Sequence, residues 1–212
     1  MTASTASPDA LRLVIDCASE ACTVALIDGA RVVDARHEVI GRGHAERLVP
    51  LIAELQGGGR AAGILVGCGP GSFAGVRIGV AAARALGLAW GVPVRGFSTP
   101  ALVAAAAAAP IAAAGGALVV MEGGHGQWFV QPFDADLTRR GPVQSLLPDA
   151  AIANGDALIV GNRAEAFVAR RGFGEALAML PDARALPALP AEALFDDPRP
   201  IYGPDAKPMA TP

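Results

Sequence analysis

The stretch ILVGCGPGSFAGVRIG, residues 64–79, constrains the fold of this chain more than any other part of the sequence. It begins with a short, continuous apolar run, which is typical of a strand covered on both faces. A tight turn with Gly69, Pro70 and Gly71 follows, and after Ser72 the chain continues in an apolar helical pattern. A strand that leads through a turn into a helix predicts an α/β architecture.

The flanking segments extend this unit into a mixed sheet with helices on its faces. Three strand patterns precede it, and the Asp-Gly pair at 28–29 predicts a hairpin turn between the second and the third. A helical pattern follows, and the glycines at 57–59 end it. The predicted elements of this part are strands at 11–17, 22–28, 31–39, 63–67 and 92–97 and helices at 44–56 and 76–90.

The second half of the chain is predicted to form a smaller and less regular domain. Its strand patterns lie at 117–122, 127–133 and 156–162, after an alanine-rich helix. We expect a disordered lead over 1–10, a first domain over 11–104 and a second domain over 105–212.

An uncharged stretch of 26 residues, 96–121, has the length of a membrane span. However, Pro100, Pro110 and the glycines at 115–116 divide it. It is therefore predicted to be a helix, a loop and a strand.

Composition and charge exclude several classes of function. A chain of 212 residues that is 52% hydrophobic can bury a sizeable core. Its net charge of −3 argues against RNA binding by this chain alone, because phosphate contacts dominate such binding. Cys17, Cys22 and Cys68 form no CxxC pair and are expected to be small buried residues rather than a disulfide framework. With no signal-peptide pattern in residues 1–9, a cytoplasmic protein is expected.

The glycine turn fits none of the common nucleotide or nucleophile motifs. A Walker loop needs a lysine beside its last glycine, and the chain's only lysine lies near its end. The pattern GxGxxG/A fits at Gly69, Gly71 and Ala74, but the acidic residue that should follow is missing, since 55–121 contains no Asp or Glu. Ser72 lacks the flanking glycines of a nucleophile elbow. It is instead predicted to cap the following helix.

The histidines do not form a metal-binding pattern. His37, His44 and His125 match neither HxxxH nor HExxH, and position 48, one helical turn after His44, is Leu48. No metal site is therefore expected in this chain.

The helix after the turn carries a ridge of small residues. Gly75, Gly79, Ala83 and Gly87 recur every four residues and share one face. Each glycine inside a helix costs about 1 kcal/mol relative to alanine, so packing or function should offset the loss. The ridge could accept a partner's helix, or it could pack against the domain's own sheet.

Three stretches together resemble the TsaB (YeaZ) family of tRNA threonylcarbamoyladenosine biosynthesis subunits. They are LVIDCASEACTVAL (13–26), GHAERLVPLIAEL (43–55) and GPGSFAGVRIGVAAARALG (69–87). The resemblance implies a two-domain α/β fold of the actin, Hsp70 and sugar-kinase (ribonuclease H-like) type, with a mixed sheet and a smaller second domain.

The resemblance also implies a function without catalysis by this chain. It implies a scaffold subunit that activates a TsaD-like catalytic paralogue, which adds threonylcarbamoyl to adenosine 37 of tRNA. A TsaE-like ATPase is the other implied partner, and tRNA would bind only through the complex. No cofactor is expected in this chain, whereas ATP and a metal ion are expected in the partner subunits.

Particular residues receive roles from the same resemblance. Asp16 and Ser19 lie where kinases of this superfold bind phosphate, but Glu20 would repel phosphate there, so a vestigial nucleotide contact is expected. The family's subunit interface is formed by the helices after the third strand and after the glycine turn. Carried over, the interface residues are His44, Leu48, Leu51, Ile52, Leu55, Val76, Gly79, Val80, Ala83 and Leu86.

Two alternatives stay open at this point. One is a homodimer of the isolated chain through the same helices, and the other is a small nucleotide-dependent phosphotransferase of the same superfold. The sequence also departs from the family, because residues 122–125 are EGGH where its relatives have Asp, Ala and two basic residues. A fixed ionic contact of this hairpin is therefore in doubt. The family outline continues in PDAK, 204–207.

Overall fold

The computed structural model describes residues 11–202. The lead over 1–10 and the PDAK stretch at 204–207 lie outside the described residues. The strands are β1 (Leu11–Asp16), β2 (Ala21–Asp28), β3 (Arg31–Val39), β4 (Ile64–Gly67), β5 (Val94–Phe97), β6 (Gly116–Glu122), β7 (Trp128–Asp134), β8 (Gln144–Leu146), β9 (Leu158–Val160), β10 (Glu175–Leu177) and β11 (Phe195–Asp196). The helices are α1 (His44–Ala53), α2 (Phe73–Trp90), α3 (Thr99–Ala106), α4 (Ala108–Ala114), α5 (Pro148–Ala151) and α6 (Ala164–Arg171).

Within the described part of the chain, the strands form two mixed sheets. The first sheet has the order β11-β5-β4-β1-β2-β3, and the second has the order β10-β9-β6-β7-β8. In the first, β1, β2 and β3 are an antiparallel meander, while β4 and β5 continue parallel to β1. The predicted meander followed by alternating helices and strands is confirmed. We call the first sheet with α1 and α2 the first lobe, and the second sheet with α4, α5 and α6 the second lobe.

The hairpin between β2 and β3 shows how local sequence determines the register. Asp28 pairs with Arg31, and Gly29 in the turn has a φ of 58°. This left-handed conformation favours glycine, because it has no Cβ to clash with the backbone. The Asp-Gly turn predicted from the sequence is confirmed.

Helix α3 lies between the two sheets. Every residue from Thr99 to Ala105 is buried. Leu102 packs in the cluster of the first sheet, whereas Val103 packs in the cluster of the second. The neighbouring alanines, Ala101, Ala104 and Ala105, pack in the second cluster and let that sheet approach the helix closely. Helices α1 and α2 cover the outer face of the first sheet, and α5 and α6 cover that of the second, whereas Ile111 of α4 packs in the same cluster as Val103.

The end of the chain corrects the predicted extent of the second domain. A short 3₁₀ segment, Ala183–Ala188, packs on the first sheet, where the N–H of Ala183 donates to the hydroxyl of Thr23 at 3.0 Å. Strand β11 then pairs antiparallel with β5. The prediction that 105–212 belongs wholly to the second domain is therefore wrong for residues 183–196. A two-residue strand carries too little sequence pattern to be assigned in advance.

The uncharged stretch at 96–121 folds into the end of β5, α3, α4 and most of β6. The predicted helix and strand are confirmed, but the predicted loop between them is wrong, because residues 108–114 form α4, with Pro110 in its first turn. Among the described residues, α2 is the one helix long and apolar enough to cross a membrane by length and composition. Only 33% of it is buried within the protein. A helix of this composition with so much exposed surface marks a candidate contact face.

Candidate partner-binding face and interlobe cleft

The glycine turn positions the start of α2. Ser72 is the N-cap, and its hydroxyl oxygen accepts a hydrogen bond from the N–H of Gly75 at 3.3 Å. Gly69 has a φ of 89°, a backbone conformation that side chains disfavour. The capping role predicted for Ser72 is confirmed, and Gly69, Pro70 and Gly71 form the turn that precedes it.

The turn packs directly on the backbone between β1 and β2. The N–H of Ser72 donates to the carbonyl oxygen of Ala18 at 2.6 Å. A Cβ at Gly71 would collide with that same carbonyl, and a Cβ at Gly75 would collide with the carbonyl of Cys17. These glycines therefore permit a close contact between two backbone segments.

Asp16 is enclosed by its own chain. It is fully buried, one carboxylate oxygen accepts from the N–H of Ala18, and the other accepts from the hydroxyl of Thr99, each at 2.8 Å. Burial raises the pKa of Asp16 to about 6, although these two hydrogen bonds act in the opposite direction. Ser19 is also largely buried, and its hydroxyl accepts from the N–H of Ala21 at 3.1 Å. Asp16 thus joins β1 to the first residue of α3.

The small-residue ridge of α2 faces the protein interior. Gly75, Gly79, Ala83 and Gly87 are all buried. A Cβ at Gly79 would lie 3.7 Å from the Cβ of Cys17, and one at Gly87 would collide with the side chain of Val94. Of the two alternatives for the ridge, packing against the domain's own sheet is therefore the one that the structure shows. The ridge is not the surface on which a partner's helix lies.

The predicted interface residues lie mostly in the same interior. Nine are buried and Leu86 is half-buried; the buried ones are His44, Leu48, Leu51, Ile52, Leu55, Val76, Gly79, Val80 and Ala83. His44 contacts the first hairpin, with its Nε2 atom 3.3 Å from the carbonyl oxygen of Ala21. Side chains without exposed surface cannot contact a partner, so the prediction is wrong for these nine positions. The helix pair as a contact surface stays a prediction.

The opposite side of α1 and α2 is exposed and largely apolar, although the exposed residues of these helices also include Glu46, Arg77 and Arg84. Leu88 is 88% exposed and Val49 is 56% exposed. We call this surface the outer face, and it consists of Val49, Ala53, Ala74, Ala81, Ala85, Leu88 and Ala89, with Ile78 and Ala82 half-buried beside them. The α2 members follow the same three- and four-residue spacing as the buried ridge. A helix that is apolar on two sides gives no sequence signal for which side faces inward.

A charged cluster borders the outer face on α1. The guanidinium of Arg47 donates to Glu38 of β3 at 2.7 Å and to Glu54, after α1, also at 2.7 Å. These hydrogen bonds hold the pKa of both glutamates below the ordinary value. The apolar outer face is thus bounded by fixed charges, as at the rim of a protein interface.

A cleft of about 750 Å³ separates the two lobes. Ser19 and Glu20 line it from the first lobe, whereas Glu122 and His125 line it from the second. The side-chain amide of Asn162 closes one end, where it donates to Glu20 at 2.9 Å and its oxygen accepts from the N–H of Glu122 at 2.9 Å. At the rim, the rings of Phe73 and Tyr202 lie 5.0 Å apart.

The altered hairpin between β6 and β7 does form an ionic contact. Glu122 pairs with Arg163 immediately before α6. The sequence placed such a contact in doubt because the family's basic residues are absent, but here the base comes from another element. In residues 11–202, no three His, Cys, Asp or Glu side chains lie close enough together to hold a metal ion.

The two lobes, the helix between them and the cleft define a protein of the actin, Hsp70 and sugar-kinase class. A family model described as "TsaD: tRNA N6-adenosine threonylcarbamoyltransferase" matches residues 35–172, which is more than half of the chain. The chain therefore belongs to this family and, as the sequence resemblance indicated, to its TsaB (YeaZ) group.

Individual relatives agree with this assignment. The Escherichia coli tRNA threonylcarbamoyladenosine biosynthesis protein TsaB is 40% identical over 92 residues, which cover 41% of this chain and 39% of that protein. The Haemophilus influenzae TsaB is 34% identical over 87 residues, or 39% and 36% of the two chains. The chain thus matches about two fifths of the length of these curated relatives. The solved YeaZ from Pseudomonas aeruginosa matches 91% of this chain and 99% of its own, with a TM-score of 0.76 and 25% identity.

The two helical glycines at positions 75 and 79 should respond oppositely to alanine. Gly75→Ala should lower the free energy of unfolding by about 1–3 kcal/mol, because its Cβ meets a backbone carbonyl. Gly79→Ala is the matched control, since its Cβ would make only ordinary contacts, from 3.7 to 3.9 Å. It should be neutral or stabilise by up to about 1 kcal/mol. Urea unfolding measures both, and equal losses would contradict the packing described.

Asp16 should make stability fall as the pH rises. Its folded pKa of about 6 exceeds the ordinary value of 3.8, so its contribution is complete below pH 3.8 and is lost as the pH rises through about 6. Relative to the wild type, Asp16→Asn should therefore gain up to about 3 kcal/mol of unfolding free energy between pH 4 and pH 7. Urea unfolding at several pH values measures the difference.

An exposed carboxylate provides the control for Asp16. Arg170 holds the pKa of Asp149 below its ordinary value, so Asp149→Asn should change relative stability in the opposite direction over the acid range. A pH-independent difference between the wild type and Asp16→Asn would contradict the enclosed carboxyl.

Proposed function

We propose that this chain is a non-catalytic scaffold subunit of the complex that adds threonylcarbamoyl to the adenosine beside the tRNA anticodon. The family assignment supports a role in this modification. The observation that carries the scaffold role is the outer face, an exposed apolar surface on two packed helices. Its partner in this proposal is a TsaD-like catalytic paralogue, which the outer face contacts and activates.

The residues around the first hairpin and the cleft do not suit phosphate binding, which supports a chain whose function depends on a catalytic partner. The position equivalent to a kinase phosphate loop is filled by backbone contacts between the first hairpin and the glycine turn. Asp16 is buried with both oxygens in use, and the cleft beside it is lined by the carboxylates of Glu20 and Glu122. Carboxylates at this position repel phosphate. In the proposed complex, a TsaE-like subunit supplies ATP hydrolysis, and tRNA binds to surfaces that this chain does not provide alone.

The outer face should be required for binding the TsaD-like paralogue. Ala85→Asp and Leu88→Asp each place a charge in the proposed contact, and each should weaken the complex about 100-fold or more, because the charge would be buried without a partner. Leu147→Asp is the matched control, since Leu147 is 59% exposed on the second lobe. Copurification and titration calorimetry measure the complex, while thermal unfolding verifies that each variant is folded.

The outcomes separate the possible surfaces. Binding that is lost in Leu147→Asp but kept in Ala85→Asp would contradict the assignment of the outer face.

Sedimentation of the isolated chain tests a homodimer through the same surface, since Ala85→Asp should then convert dimer to monomer. A dimer that persists in Ala85→Asp would place self-association elsewhere.

Nucleotide binding distinguishes the scaffold from a phosphotransferase of the same superfold. Calorimetry of this chain with ATP and magnesium is expected to show no saturable binding. Saturable binding that Ser19→Ala weakens would favour the phosphotransferase, because Ser19 lines the cleft at the first hairpin.

A further inference from the structure

Two of the three cysteines face each other across the first hairpin. β1 and β2 pair antiparallel with Asp16 opposite Thr23, so Cys17 and Cys22 are the next facing positions. Their sulfur atoms lie 3.8 Å apart, and both side chains are buried in the same cluster. Facing residues of antiparallel strands have Cα atoms about 4.5–5.5 Å apart, which is within the range that disulfides span. A bond therefore requires only that the sulfurs approach by about 2 Å.

The two thiols are chemically unequal. The hydrogen bond between the two sulfurs lowers the pKa of Cys22 below its ordinary value. The same bond raises the pKa of Cys17 well above its ordinary value. In contrast, burial raises the pKa of Cys68 to about 12, and its thiol donates to the carbonyl of Val66 at 3.5 Å. The thiolate is the nucleophile, so Cys22 is the more reactive member and Cys68 an internal control.

We propose that Cys17 and Cys22 are a site of reversible oxidation by a peroxide, which joins them in a cross-strand disulfide at the base of the first hairpin turn. The Cys22 thiolate attacks one oxygen of hydrogen peroxide, so an S–O bond forms, the O–O bond breaks and hydroxide leaves. The sulfur of Cys17 then attacks the Cys22 sulfur as its proton passes to the hydroxyl of the sulfenic acid, the S–O bond breaks, and that hydroxyl leaves as water. In total, two thiols and one peroxide give one disulfide and two waters.

The turn between the two cysteines, Ala18, Ser19 and Glu20, lines the interlobe cleft. The sulfurs lie behind it, with Cys17 1% and Cys22 0% exposed, so a peroxide in the cleft reaches them only when this turn moves. The carbonyls of Cys17 and Ala18 contact the glycines at the start of α2. The disulfide would therefore fix the turn against this helix. The site does not depend on the proposed scaffold role.

Thiol counting on the full chain tests the site. The Cys68→Ser variant is exposed to hydrogen peroxide, unfolded and treated with an alkylating reagent. Both remaining thiols should be lost, the mass should fall by two hydrogen atoms, and dithiothreitol should restore both thiols. The wild type should lose the same two thiols and keep only that of Cys68. Because the wild type gives the same result, the test does not depend on the folding of the variant. Two alkylatable thiols in Cys68→Ser, under exposure that fully oxidises free cysteine, overturn the proposal.

Single variants test the order of the steps. Cys17→Ser should stop at a Cys22 sulfenic acid that dimedone labels, whereas Cys22→Ser should leave Cys17 unlabelled. Labelling of Cys17 and not of Cys22 overturns the assigned roles. In dithiothreitol redox buffers, the equilibrium constant for the disulfide should be about tenfold or more larger in the folded chain than in urea. A constant that is no larger when folded shows that sequence proximity alone joins the cysteines and also overturns the proposal.

Discussion

The packing of α3 between the two sheets determines where both candidate surfaces lie. Its buried residues pack against both sheets, with Leu102 in the cluster of the first sheet and Val103 and the alanines in that of the second, so α3 covers the inner face of each sheet. Helices α1 and α2 must then cover the outer side of the first sheet, and their far side faces solvent. Thr99, at the first position of α3, holds the carboxylate of Asp16, which ties this arrangement to the end of β1.

Backbone contacts, rather than side-chain chemistry, explain the glycine turn. In a nucleotide-binding protein, glycines at such a position let phosphate approach backbone N–H groups. Here the N–H of Ser72 donates to the carbonyl of Ala18. The space beside Gly71 and Gly75, where a side chain would lie, is filled by the carbonyls of Ala18 and Cys17. The same glycine requirement thus arises from two different contacts, and sequence alone does not distinguish them.

Much of the first lobe could be predicted because its signals are local. The Asp-Gly turn, the Ser72 cap and the apolar run of β4 each depend on a few adjacent residues, and each was placed correctly. The orientation of α2 could not be predicted in this way. Spacing shows which residues share a face, but α2 is apolar on both sides, and only tertiary packing decides which side is buried.

The elements that were missed depend on distant contacts or are very short. β11 pairs with a strand about 100 positions earlier, and Ala183–Ala188 returns to the first sheet without a helical or strand pattern of its own. Cys17 and Cys22 likewise face each other because of the register in which β1 pairs with β2. A shift of one residue would place the two sulfurs on opposite faces of the sheet.

The hydrogen bond from Asn162 to Glu20 also affects how the two lobes can move. It joins the two lobes at one end of the cleft, which is lined by residues of both lobes. Any rotation that widens the cleft must break it, and a hydrogen bond to a charged group contributes about 1.5–3 kcal/mol. That contact alone makes the widened form about 10- to 160-fold rarer. Asn162 therefore tethers the two lobes, because one side-chain amide contacts Glu20 of the first lobe and the backbone of Glu122 in the second.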